Sequence, residues 1–388
     1  MNGVAPRNRS TLERQVIENV YPHRSPRVPL PCDEQSSRSR DEARPTALLP
    51  SAACLAVIFT VSCGDTNGPA AALPLTVLSV VDLGTYSGTE ASSANAVNAD
   101  GWIVGWSAPS TVLRPVIWSP DRAIALVDTI SFLGCTATDV NASKWVVGQC
   151  FNSTAVLWRS TNERTRLDTV AAPSSYAAAI NAFGQVVGSA TRCSLCRVVS
   201  AVVWEADGAL RYLDPLDGGI ASRAADINAS GDVVGTSFSA PASPSDPSLT
   251  RAVMWRGLSI VDLGTLPGFP ASEAIALNDR GAVVGNSCTP TCYSPGSVAT
   301  RGFLWDNGSL ADLGARRPSA INNHGVVVGT GESGPFVWAS GRVAELEPLP
   351  GTTSCNAYAI SDAGHVVGSC FTQSGFLHAT LWVISIDL

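Results

Sequence analysis

The sequence predicts an all-β protein, a seven-bladed β-propeller of four-stranded blades, and three observations carry that prediction. A block typified by AAINAFGQVVG (178–188) occurs seven times, with Asn at 98, 141, 181, 228, 278 and 322 and Ser361 in the last copy, 39 to 50 residues apart. An apolar run ending in tryptophan follows each block, at Trp118, Trp158, Trp204, Trp255, Trp305, Trp338 and Trp382. No helical i, i+3, i+4 period persists between them, whereas Val, Ile and turn residues abound. Self-similarity near forty residues is the signature of radially repeated sheets.

Each copy supplies four short apolar segments. In one copy these are SIVDLG, AIAL, AVVG and GFLW. The Asn-x-x-Gly step joins the second and third as a type I turn closed by a left-handed residue, where Asn bonds its own backbone and Gly avoids a Cβ clash. Copy two has Lys144 in place of that glycine, at an expected cost of roughly 1 kcal/mol if the turn is kept. A second hairpin joins the Trp strand to an Asp-Leu-Gly step seen at Asp82, Asp262 and Asp312. A blade of this size cannot bury both faces alone, so the valines and tryptophans are expected to pack between blades. VVDLG (80–84) and ISIDL (384–388) are candidates for completing one shared blade from the two ends of the chain. An open β-solenoid is the alternative architecture.

Residues 1–44 are polar, aperiodic and rich in Arg and Pro, and read as a disordered leader or a mis-assigned start. Residues 45–63, preceded by Arg44, combine a short apolar run with Thr60-Val61-Ser62-Cys63, and read as a lipoprotein-type signal peptide with Cys63 as the lipid attachment point. Residues 64–77 then form a flexible tether to the repeat domain at 78–388. The expected location is the periplasm or cell surface, on a membrane through that anchor alone; simple secretion is the alternative.

The cysteines of the domain sort into local pairs: Cys135 with Cys150, Cys193 with Cys196, Cys288 with Cys292, and Cys355 with Cys370. The first and last pairs sit at identical offsets from their Asn positions, which places them opposite each other on a hairpin. Such pairing suits an oxidising compartment. A four-cysteine zinc site from CSLC and CTPTC is the competing reading, set aside because the two loops lie two repeats apart.

Chemistry is harder to read. A net charge of −7 with a single lysine leaves no basic stripe for nucleic acid. Gly-x-Val-Val-Gly lacks the Lys-Ser/Thr of a phosphate loop and is followed by a strand instead of a helix. No catalytic residue, cofactor or metal ligand emerges: His324, His365 and His378 read as turn or packing residues, and Asp82, Asp262 and Asp312 as scaffold because they recur. Length variation gathers between the closing glycine and the tryptophan, above all in 237–250 and 287–300. The face carrying these loops is therefore the expected binding surface. The resulting expectation is a monomeric, non-catalytic scaffold for an unknown protein or glycan; the alternative is a propeller-type polysaccharide hydrolase or lyase.

The repeated block, with DLGTLPG (262–268) and HATLW (378–382), resembles the HAF repeat of predicted extracellular bacterial proteins. The resemblance covers roughly 78–388 and implies an exported repeat protein without assigned catalytic residues. The histidine of the family signature survives only as His378.

Overall fold

A computed structural model describes residues 75–386, apart from residues 89, 109–111, 129–133, 151–152, 162, 168–173, 193–197, 242–247 and 293–298. The leader, the signal segment with Cys63, and Cys193 and Cys196 thus lie outside the described residues. The first strand, Leu75–Asp82, begins within the segment expected to be tether.

Seven four-stranded antiparallel sheets form a closed ring. Blade 1 is Ala91–Val97, Ile103–Ala108, Arg114–Trp118 and Ile124–Leu126. The first strands of blades 2 to 7 are Cys135–Val140, Ser175–Ile180, Gly219–Ile227, Ala271–Leu277, Arg317–Ile321 and Thr352–Ile360. Each first strand meets the first strand of the next blade, so together they line the central channel. Blade 7 is closed by the start of the chain: Leu75–Asp82 pairs antiparallel with Leu377–Ile386. Ring closure excludes the open solenoid.

The core is divided into seven apolar clusters, each shared by two neighbouring blades. Val146, for example, packs with Val104 of blade 1, while the next residue, Val147, packs with Val186 of blade 3. Alternation along the second strand sends successive valines to opposite neighbours. The last cluster joins Val367 and Leu381 of blade 7 to Ile103 and Trp118 of blade 1, which completes the ring. The tryptophans add a polar link at these interfaces. The indole N–H of Trp118 donates to Leu83 O at 2.9 Å, that of Trp255 to Asp214 O at 2.8 Å and that of Trp382 to Glu347 O at 2.7 Å, each in the preceding blade.

The two glycines of the block do different things. The turn glycines 101, 184, 231, 281, 325 and 364 have φ between 79° and 82°, and Lys144 keeps the same turn at φ 62°. Its ammonium lies 4.8 Å from the ring centre of Trp102 in blade 1. The closing glycine answers a close approach instead. A Cβ at Gly105, Gly148, Gly188, Gly235, Gly285, Gly329 or Gly368 would collide with a carbonyl oxygen of the adjoining first strand, beside the bulge in that strand.

Among the described residues three disulfides are present: Cys135–Cys150, Cys288–Cys292 and Cys355–Cys370. Cys135 faces Cys150, and Cys355 faces Cys370, across the first hairpin of blades 2 and 7 with Cα atoms 4.0 Å apart.

Candidate functional site

The repeat asparagines meet at one end of the channel, where they do more than shape turns. The Oδ1 of Asn98 accepts the Trp102 amide, as the turn requires. Its Nδ2 reaches across to the Asn141 carbonyl at 3.0 Å. The same step runs from Asn141 to Asn181, Asn181 to Asn228, Asn228 to Asn278, Asn278 to Asn322, and Asn322 to Ser361, at 3.0 to 3.3 Å. The ring stops at Ser361, whose hydroxyl accepts the His365 amide.

Inside this ring lies a recess of about 260 Å³. Its rim carries the residue after the asparagine from every blade but the second, and in blades 5 to 7 these are Asp279, Asn323 and Asp362. The Asn323 amide group bridges the two carboxylates, with Nδ2 2.9 Å from Asp279 Oδ2 and 3.0 Å from Asp362 Oδ2. Asp279 Oδ1 also accepts the Ala229 amide, and Asp362 Oδ1 that of Asn323. All these partners are neutral, so both negative charges stand, and each oxygen keeps accepting capacity. No basic side chain lines the recess.

Two further carboxylates face the channel from the position two residues before the asparagine. Asp139 accepts the amides of Val140 and, in the next blade, Ile180, both at 2.8 Å. Asp226 accepts Ile227 at 2.8 Å and Leu277 of the next blade at 3.0 Å. Burial raises both groups against the pull of these amides, Asp139 to about 6 and Asp226 to about 7, the latter helped by the charges of Asp139 and Asp279. Each carboxylate thus ties two blades together at the axis.

A smaller recess of about 80 Å³ lies at the seam of blades 7 and 1, against Gly101, Ser119, Arg122 and His365. The Nδ1 of His365 is buried there without a hydrogen-bond partner, and burial holds its pKa below the usual value.

The opposite face carries the Asp-Leu-Gly residues, and their scaffold role is plain. Asp82, Asp262 and Asp312 accept the amides of Gly84, Gly264 and Gly314 at 2.7 to 2.9 Å. They also pair with His378, Arg251 and Arg301, each four residues before its tryptophan. The signature histidine therefore occupies the position that arginine holds in the equivalent pairs. Of the variable loops, 242–247 and 293–298 lie outside the described residues. Glu273 approaches Cys288 and Cys292, but those sulfurs are joined to each other and offer no thiolates to a metal.

Sequence reasoning assigned the Asn block to architecture and so missed the recess it surrounds. A signal was available. Asp, Ser or Thr would also make the turn, yet six copies keep an amide, which accepts locally through its oxygen while a separate NH2 group donates to a neighbour; a carboxylate cannot donate, and a hydroxyl must do both through one atom.

Solved propellers of hydrolases share this fold. The propeller domain of the Trilobed protease from Pyrococcus furiosus, described as having an open velcro topology, is 10% identical over 76% of this chain and 94% of that one, with a TM-score of 0.50. Puromycin hydrolase is 13% identical over 76% of this chain and 52% of that one, with a TM-score of 0.50. The acylaminoacyl peptidase of Pyrococcus horikoshii is 14% identical over 78% of this chain and 52% of that one, with a TM-score of 0.49. This chain therefore spans about half the length of the latter two enzymes. Such identities speak for the fold alone. No family model matches the chain, and no curated protein matches it.

The expectation of a non-catalytic protein- or glycan-binding scaffold working through the variable-loop face is corrected here. The propellers it resembles are parts of hydrolases, and the acidic recess opens on the tight-turn face. Loop length misdirected the expectation: it marks where a repeat tolerates insertion, whereas this recess is built from near-identical positions whose differences are single side chains.

Proposed function

We propose that this propeller receives the substrate of a peptide-hydrolysing reaction, holding the positively charged amino end of a short peptide in the acidic mouth of its central channel. One observation carries the reading: Asp279 and Asp362 stand on the rim of an open recess at the channel mouth, bonded only to neutral groups, with no basic residue among the described residues that line it. An ammonium placed between them gains two charge-assisted hydrogen bonds. That a similarly folded propeller is a domain of a protease supports the choice of peptide over other amines.

Calorimetric titration of alanyl-alanine amide against its N-acetylated form tests this. The free amine should bind, the acetylated form should not, and the Asp279→Asn/Asp362→Asn variant should lose at least tenfold in affinity. Equal binding of both probes, or an unaffected variant, would sink the reading.

An exported, Cys63-anchored protein of the HAF-repeat type remains part of the proposal. The three disulfides support the oxidising compartment it requires.

A further inference from the structure

The first strands present one backbone N–H per blade to the channel, at the residue just before the repeat asparagine. The turn fixes this direction. The asparagine amide bonds across the hairpin, as Asn98 N to Trp102 O, and in an antiparallel ladder the preceding residue then points its N–H away from its partner strand. The seven groups belong to Val97, Val140, Ile180, Ile227, Leu277, Ile321 and Ile360.

Four of the seven are satisfied, all by carboxylates. Asp139 takes Val140 and Ile180, and Asp226 takes Ile227 and Leu277, so one carboxylate spans the N–H groups of two adjacent blades. The aspartate position is alanine in the remaining copies, including Ala96, Ala320 and Ala359. As a result Ile321, Ile360 and Val97, in the consecutive blades 6, 7 and 1, have no acceptor among the described residues. All three line the same recess as Asp279 and Asp362. Backbone donors that find no protein acceptor are met by water or by a ligand.

We propose that the N–H groups of Ile321, Ile360 and Val97 form a carboxylate-binding arc, and that the molecule held in the recess is a zwitterion, an amino acid or dipeptide with a free carboxyl end. The repeats themselves show the chemistry: a carboxylate oxygen pair bridging neighbouring blades is what Asp139 and Asp226 already provide. A free anion would meet the negative rim unfavourably. A zwitterion resolves this, because its ammonium answers Asp279 and Asp362 while its carboxylate takes the arc. The recess, at about 260 Å³, is below the range typical of drug-sized ligands and suits a molecule of a few residues at most. This deepens the reading given under Proposed function and rests on it only for the amino end.

The test uses Ala320→Asp, which places the chain's own carboxylate where Asp139 and Asp226 have theirs and so occupies the Ile321 and Ile360 donors. Three probes are titrated by calorimetry: alanyl-alanine, its C-terminal amide, and N-acetyl-alanyl-alanine. Alanyl-alanine should bind at least tenfold tighter than its amide, and Ala320→Asp should remove that advantage while leaving the amide's own affinity within threefold. If Ala320→Asp leaves the advantage intact, or carboxylate and amide bind alike, the arc is refuted and the donors serve water alone. If N-acetyl-alanyl-alanine binds in an Ala320→Asp-sensitive way while the amide does not bind at all, the arc stands and the amino-end reading falls. Thermal denaturation of Ala320→Asp, expected to match or exceed the parent, confirms that any loss is not unfolding.

Discussion

His378 Nδ1 lies 2.8 Å from Asp82 Oδ2, joining the last strand to the first across 296 residues of chain. The contact belongs to a repeated pattern, since Arg301 meets Asp312 and Arg251 meets Asp262 at the same positions. Only in blade 7 does it clasp the two ends of the chain together.

Asp82→Ala and His378→Ala should each lower stability by about 0.5–1 kcal/mol, because the pair is partly exposed. His378→Arg should preserve it by restoring the partner used in blades 4 and 5. A double-mutant cycle by chemical denaturation reads the coupling; additive single effects would show that the clasp contributes nothing.

Ser361→Asn should stabilise the protein. The substitution supplies the missing Nδ2 that would reach the Asn98 carbonyl and close the amide ring, a gain of about 0.5–1.5 kcal/mol. Asn278→Asp, which keeps the turn acceptor but cannot donate, should lose a similar amount. Melting temperatures moving in the same direction for both would contradict the ring.

Lys144 offers a balance of two known costs. Lys144→Gly relieves a positive φ worth about 1 kcal/mol but surrenders the cation–π contact with Trp102, worth about 0.5–1 kcal/mol. The glycine variant should stay near the parent, and Lys144→Ala, which keeps the strain and loses the contact, should fall below both. An alanine variant as stable as the parent would show that the contact contributes nothing.

The channel aspartates set a pH dependence. Their folded values near 6 and 7 exceed the ordinary carboxylate value, so the folded chain holds protons that the unfolded chain has released. The stability they contribute is complete below pH about 4 and is lost as pH rises through 6 and 7. Asp226→Asn should therefore flatten the fall in stability between pH 5 and 7.5, measured by denaturation at several pH values. An unchanged slope would place the ionisation elsewhere.

Gly235→Ala should be severely destabilising, by about 3 kcal/mol or more, because its Cβ would enter the space of the Arg223 carbonyl. Gly257→Ala, at a turn with nothing within 4 Å, should cost only its backbone strain.

The blades were readable in the sequence because every copy repeats the turn block and the tryptophan run, and errors in one copy are corrected by six others. The closure by Leu75–Asp82 was readable in part: VVDLG reads as a strand that completes a blade, but residues 75–77 read as tether, and Ile384–Ile386, expected to begin a second strand of that kind, continue the Trp382 strand instead. The site was not, and for a physical reason. Asp139, Asp226, Asp279 and Asp362 are exceptions at positions that are alanine or asparagine in other copies, and a search for periodicity treats exceptions as noise. Their convergence depends on blades 40 or 50 residues apart meeting at the axis. The link between Asp226 and Leu277 spans 51 residues.

The asparagine ring also settles what a ligand at the axis can feel. Its six amides all point the same way around the circle, each from one blade to the next. Dipoles arranged head to tail around a loop largely cancel at its centre, so the ring stiffens the opening while adding little field to it. The discriminating charge in the channel is left to a handful of aspartates and unfilled backbone donors, which single substitutions can rewrite without disturbing the wheel that holds them.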